Sequence, residues 1–166
     1  NRERSWPFIW KSLEHLSPQA PLALLLPSTG FFLNDVKASL VRLLDFARLS
    51  KLIDLSDLRR VLFKNASLPT SILHAQREEG RASHTFAYVC PKADINATRG
   101  DRILLASEDW HQLSAWHFAR NSVAATQRLM WMSPLEQRLL NFLDSLPTLR
   151  NLPLLESCEA RTAFPG

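Results

Sequence analysis

Residues 51–77, KLIDLSDLRRVLFKNASLPTSILHAQR, constrain the fold more than any other stretch of the chain. Lys51 to Leu55 is short and apolar enough for a strand, and LSDLRRVLF has room for one helical turn. Pro69 then precedes TSILHAQ, where Thr70 and Ile72 favour a second strand. Only about fifteen residues separate the two runs and no long helix fits between them, whereas a parallel pair needs a crossover of about a dozen or more residues, usually a helix. The spacing predicts an antiparallel pair joined by a polar turn carrying one aromatic residue, Phe63.

The flanking segments point to an α/β layer fold. Ser5 can cap a first helix with Pro7 in its first turn, and Trp6, Ile9, Trp10, Leu13 and Leu16 share one face before Pro18 ends it. LALLLPS, residues 22–28, is wholly apolar and bounded by prolines, which reads as a strand buried on both faces, as in a parallel sheet. STGFFL reads as a loop, Asn34 as an N-cap, and Val36, Leu40, Leu43, Leu44 and Ala47 as the stripe of a helix to about Arg48. Downstream, EEGR (78–81) is a polar turn, and HTFAYVCP reads as a further strand and a candidate hairpin partner of TSILHAQ. After Pro91 the chain turns polar. ILLASEDW has room for a short strand and a helical turn, and residues 114–132 show no clean period. SPLE at 133–136 is a capping box that opens a last helix, with Leu135, Leu139, Leu140, Leu143 and Leu146 as its stripe and Pro147 as its stop.

Several chemistries lack their signatures. The four glycines form no phosphate loop or dinucleotide fingerprint, and no HExxH, CxxC or GxSxG occurs. His111 and His117 are six apart and would not share a helix face; both read as surface histidines rather than ligands. Asp54, Asp57, Glu108 and Asp109 lie near strand ends, but no acidic-x-Lys tail of a metal nuclease follows them. They read as caps and solvated turns. Cys90 and Cys158 are too few and too far apart for a disulfide scaffold, which makes a reduced cytoplasmic setting the default. No apolar run is long enough to cross a bilayer, and no signal peptide is visible. The start, NRERSWPF, lacks Met and looks like a cut inside a longer protein, with processing as the alternative. The net charge of +4 arises in residues 1–70, which hold ten basic and six acidic side chains. That bias suits phosphate backbones but is weak evidence alone.

WPFIWKSLEHLSPQAPLALLLPSTGF resembles the passage after the catalytic Asn-Pro-Pro-Tyr loop in adenine-N6 DNA methyltransferases of restriction–modification systems. LVRLLDFARLSKLIDLSDLRRVLFKNASLPTSILHAQ is similar to the next stretch of that family, and FAYVCPKAD more loosely to the strand that often follows. The resemblance covers about residues 5–77 in order. It implies a partial Rossmann-like sheet in which LALLLP is the fifth strand, KLIDLS the sixth, and TSILHAQ an antiparallel seventh inserted between them. It makes 1–92 the C-terminal half of a catalytic domain and 93–166 a mainly helical extension toward a target-recognition region.

One functional residue carries over: Phe63 matches the family's aromatic that stacks on the extruded adenine. Lys64 and Asn65 follow as possible DNA contacts, although a solvated turn explains them equally well. The family's S-adenosylmethionine loop and Asn-Pro-Pro-Tyr motif do not occur in this sequence. The chain alone is therefore expected to be inactive and to bind no cofactor, although S-adenosylmethionine serves the intact enzyme. Its expected partners are DNA, the remaining part of the methyltransferase or a restriction subunit, and a second copy of itself. The alternatives are a non-catalytic DNA-binding or subunit-interaction module, and an enzyme such as a nuclease with an unseen site.

Overall fold

A computed structural model describes residues 5–63, 65, 67–78, 84–93 and 102–147. The chain divides into two compact units, Asn1–Trp131 and Met132–Gly166. The first begins with helix α1 (Ser5–His15), strand β1 (Pro21–Pro27), the short helix α2 (Thr29–Phe32) and a 3₁₀ turn at Asn34–Val36. Helix α3 (Lys37–Phe46), strand β2 (Ala47–Asp54), the single turn α4 (Arg59–Leu62), and strands β3 (Thr70–Arg77) and β4 (Thr85–Val89) follow. Strands β5 (Lys92–Ala93) and β6 (Ile103–Leu104) form a small separate ladder. A 3₁₀ turn at Ser107–Asp109 leads into β7 (Trp110–Ser114), then helices α5 (Ala115–Arg120) and α6 (Val123–Trp131).

Five strands form one mixed sheet in the order β1-β3-β2-β4-β7. Strand β3 runs antiparallel to both β1 and β2, so the pair expected from residues 51–77 forms, with TSILHAQ between the other two strands. β4 is parallel to β2, and β7 antiparallel to β4. Strands β1, β2 and β4 thus share one direction, and their carboxyl ends meet the start of β3 at one end of the sheet.

Four expectations need correction. LALLLP is not buried on both faces: β1 is an edge strand among the described residues, and Leu25 is 52% exposed. The Ser28 N–H donates to Pro69 O (2.9 Å) and the Arg77 N–H to Ala20 O (3.2 Å). The even-numbered residues therefore bond to β3, and Pro21, Ala23, Leu25 and Pro27 turn their backbone off the edge. HTFAYVCP is no hairpin partner of TSILHAQ. Because β3 is flanked on both sides, β4 joins the free edge of β2 instead. His84 fixes that step: its Nε2 accepts the Leu49 N–H (3.1 Å) and its carbonyl accepts the Ala115 N–H (3.0 Å). STGFFL holds the helical turn α2, buried through Phe31, rather than a loop. Finally, α3 begins at Lys37 with Val36 rather than Asn34 as its cap, and it gives way to β2 at Ala47, four residues before the expected strand start.

The core lies on one face of the sheet. Leu26, Leu73, Ala75, Leu49, Leu52, Phe86 and Tyr88 project from the strands against Trp6, Ile9 and Leu13 of α1, Phe31 of α2, Leu40, Leu43 and Leu44 of α3, and Phe118 of α5. The amphipathic spacing of α1 and α3 explains this placement, since each buries the stripe expected of it. Arg77 secures the end of α1 by donating through Nη1 to the carbonyls of Leu16 and Glu14. The sequence after residue 93 also contributes to this sheet through β7.

The second unit contains helix α7 (Pro134–Ser145), opened by the predicted capping box. The Ser133 N–H donates to Glu136 Oε2 (2.7 Å) and the Glu136 N–H to Ser133 Oγ (3.3 Å). Leu135, Leu139, Leu143 and Leu146 are exposed. Among the described residues, no helix is long and apolar enough to cross a membrane.

Burial separates two leucines of similar sequence context. Leu73→Ala, in a strand paired on both sides and 1% exposed, is expected to cost about 2–5 kcal/mol through its cavity. Leu25→Ala on the edge is expected to cost well under about 1 kcal/mol. Urea unfolding of the two variants checks the assignment.

Candidate site at the carboxyl ends of the parallel strands

A buried polar cluster occupies the end of the sheet where β1, β2 and β4 finish. Asp54, the last residue of β2, has 0% exposure. Its Oδ1 accepts the Ser56 N–H (3.0 Å), the Ser56 hydroxyl, and the Ser28 hydroxyl at 3.4 Å. Its Oδ2 accepts the Tyr88 hydroxyl at 3.0 Å. Ser28 and Ser71 share a hydrogen bond of 2.6 Å across the β1–β3 junction. From α6, Trp131 Nε1 donates to the Tyr88 oxygen (3.1 Å). Burial first, and the Asp54 carboxylate second, push the Tyr88 phenol far above its ordinary range, so it remains a donor.

These bonds clamp both ends of the connection 55–69. Asp54 holds Ser56 at the exit from β2, and the Leu55 N–H donates to Thr70 O (2.9 Å) at the entry to β3. Within the connection, α4 ends at Phe63, whose N–H donates to Arg59 O (2.9 Å). Arg59 Nη1 donates to Ser67 O (3.1 Å). Phe63 is half-buried and Asn65 exposed on this turn, whereas Lys64 lies outside the described residues.

A shallow cavity of about 280 Å³ opens beside the cluster, lined by Asp54, Ser56, Asp57, Cys90, Lys92 and Trp131. Asp57 Oδ2 accepts the Ala93 N–H (2.8 Å), and Lys92 Nζ donates to Cys90 Sγ (3.3 Å). Burial, then Asp54, push the Cys90 thiol up, with Lys92 pulling the other way. Trp131 is 50% exposed, anchored at its indole N–H and by Phe32 at 6.4 Å between ring centroids.

Reading the acids as caps and solvated turns holds for the exposed Asp57; Asp109 is a cap, accepting the Ala106 N–H (2.8 Å), but a buried one. It fails for Asp54, which is fully buried. The sequence reading also did not connect Ser71, Tyr88 and Trp131 with this end of the sheet. The one available signal was an Asp closing an apolar strand followed by Ser, the Asx-turn pattern. Among the described residues, no group of three His, Cys, Asp or Glu side chains could hold a metal ion.

This architecture belongs to the α/β class, with a mixed five-stranded sheet and a polar cluster at its carboxyl end. Neither a protein-family profile nor a curated protein sequence matches the chain. Among solved structures, the fold is similar to a chain from a structure described as the structural basis of complex assembly and conformational transition of the type I R-M (restriction–modification) system. The TM-score is 0.54 at 13% identity, and the match covers 84% of this chain and 36% of that one. The chain therefore spans about a third of the length of the chain it matches.

Two outcomes are expected. Asp54→Asn turns a donor toward Tyr88 and leaves the phenol proton without an acceptor, costing about 1–3 kcal/mol in chemical denaturation. The Cys90 thiol is expected to resist alkylation in the native protein and to react on unfolding, as followed by peptide-mapped labelling. Its raised folded value contributes stability that is full below the ordinary thiol range and is lost as pH rises through and above it.

Proposed function

We propose that the chain forms the C-terminal part of the catalytic domain of an adenine-N6 DNA methyltransferase of a restriction–modification system, working only beside a segment that supplies the cofactor loop and Asn-Pro-Pro-Tyr. One observation carries this reading: β3 runs antiparallel between β1 and β2, which the resemblance requires of strands seven, five and six. The similarity in fold to the type I R-M structure supports it at the level of architecture.

Under this reading Phe63 stacks on an extruded adenine, returning part of the stacking lost from the duplex, and Lys64 and Asn65 approach the DNA beside it. S-adenosylmethionine binds the intact enzyme as methyl donor. No residue of this chain matches its loop, so the chain's own part is a wall of the base pocket and a portion of the sheet. The outward edge of β1 and the exposed Leu25 form the border at which the rest of the sheet would continue.

The test combines this chain with a segment carrying Asn-Pro-Pro-Tyr and counts labelled methyl groups transferred to adenine in duplex DNA. Transfer is expected only from the mixture. Phe63→Ala is expected to lower kcat/KM by about 5- to 150-fold, the equivalent of about 1–3 kcal/mol of stacking. Micromolar binding of S-adenosylmethionine by the chain alone contradicts the reading. DNA binding by the mixture without transfer favours the non-catalytic module.

A further inference from the structure

The cavity at the ends of β2 and β4 has chemistry that the Phe63 assignment does not use. It lies outside the carboxyl ends of two adjacent parallel strands, where open α/β sheets commonly place ligands. At about 280 Å³ it falls just below the usual range for small-molecule pockets, which suits one ring system and not a dinucleotide.

Its lining narrows the ligand further. Asp54 and Asp57 disfavour a phosphate or carboxylate at this position, and the Lys92 ammonium disfavours an organic cation. A neutral group remains, with a hydrogen-bond donor for a carboxylate and an acceptor for Lys92. Because Asp54 already accepts from Ser28, Ser56 and Tyr88, Asp57 is the carboxylate with capacity to spare. The exposed surface of Trp131 supplies a platform for a planar ring. A second cavity at the opposite end of the sheet offers no such set: Arg42 stacks over Trp10 at 5.3 Å and Arg77 is occupied with carbonyls.

From this geometry we propose that the cavity binds the edge of an amino-bearing nucleobase, stacked on Trp131, with its exocyclic amino group donating to Asp57 and a ring nitrogen accepting from Lys92. The inference rests on the methyltransferase reading only for the source of the base, a nucleotide of the bound DNA other than the adenine assigned to Phe63. The site is distinct from the Phe63 turn in the residues it uses.

Nuclear magnetic resonance titration of the chain alone with adenosine and with inosine tests it. Inosine lacks the amino group but keeps the sugar and ring size. Adenosine is expected to bind saturably in the millimolar range and inosine about tenfold more weakly. Asp57→Asn and Lys92→Met are each expected to weaken adenosine about tenfold, while Trp131→Phe keeps a platform and weakens it less. Equal binding of the two nucleosides, no saturable binding, or indifference to both Asp57→Asn and Lys92→Met overturns the proposal. Adenosine binding without methyl transfer by the reconstituted mixture retains this site and removes the enzymatic reading; transfer without adenosine binding does the reverse.

Discussion

The Asp54 carboxylate organises the end of the sheet on which every functional reading depends. A charge removed from water persists only when hydrogen bonds replace its hydration. Here the donors come from Ser28 beyond β1, Ser56 beyond β2 and Tyr88 in β4, with Ser71 of β3 and Trp131 of α6 one bond further out. One side chain therefore ties four strands and a helix together at a single point. The bonds are mutually dependent: the Tyr88 oxygen can accept from Trp131 because its proton is committed to Asp54. Such a cluster specifies geometry more than it adds stability, since the same volume filled with apolar side chains would avoid the desolvation cost.

That geometry matters most for the connection 55–69. This segment has one helical turn among its described residues, which by itself gives little internal structure to hold the aromatic residue still. Its two ends are fixed instead by Asp54 with Ser56 and by Leu55 with Thr70, and its middle by Arg59 with Ser67. Phe63 and the cavity beside Trp131 thus hang from the same anchor, one on the turn and the other next to the cluster. Under the proposed reading, a base leaving a DNA stack needs rigid faces to meet it, because any ordering of the site is subtracted from the stacking gain.

Local pattern carried the elements whose partners are close in sequence. The antiparallel pair at 51–77 was legible because the connection has no room for a long crossover helix, and α7 because Ser133, Pro134 and Glu136 form a self-contained cap. The elements that the sequence misplaced depend on distant partners. LALLLP has the composition of a central strand, yet it sits at the edge because β3 took the position beside it. HTFAYVCP follows β3 closely, but finds no free edge there and pairs with β2. Ala47 closes the stripe of α3 on paper, with the helix running to about Arg48, but Ala47 is buried as a strand residue because β3 pairs with it. Asp54 is the sharpest case, since its burial is produced by residues 26 positions before it and 34 after it.

The edge of β1 shows how an apolar strand is kept from indiscriminate pairing. Pro21 and Pro27 occupy outward-facing positions and bring no N–H, so only Ala23 and Leu25 offer donors to a neighbour. Unprotected apolar edges recruit other strands, and proline is a common guard against this. Here the guard is partial. The carbonyls along the edge remain, Leu25 stays exposed, and the two donors between the prolines admit a neighbouring strand in few registers. An edge of that kind discriminates: it penalises a long, flat strand that needs donors throughout, and tolerates one whose own pattern matches the two that are left.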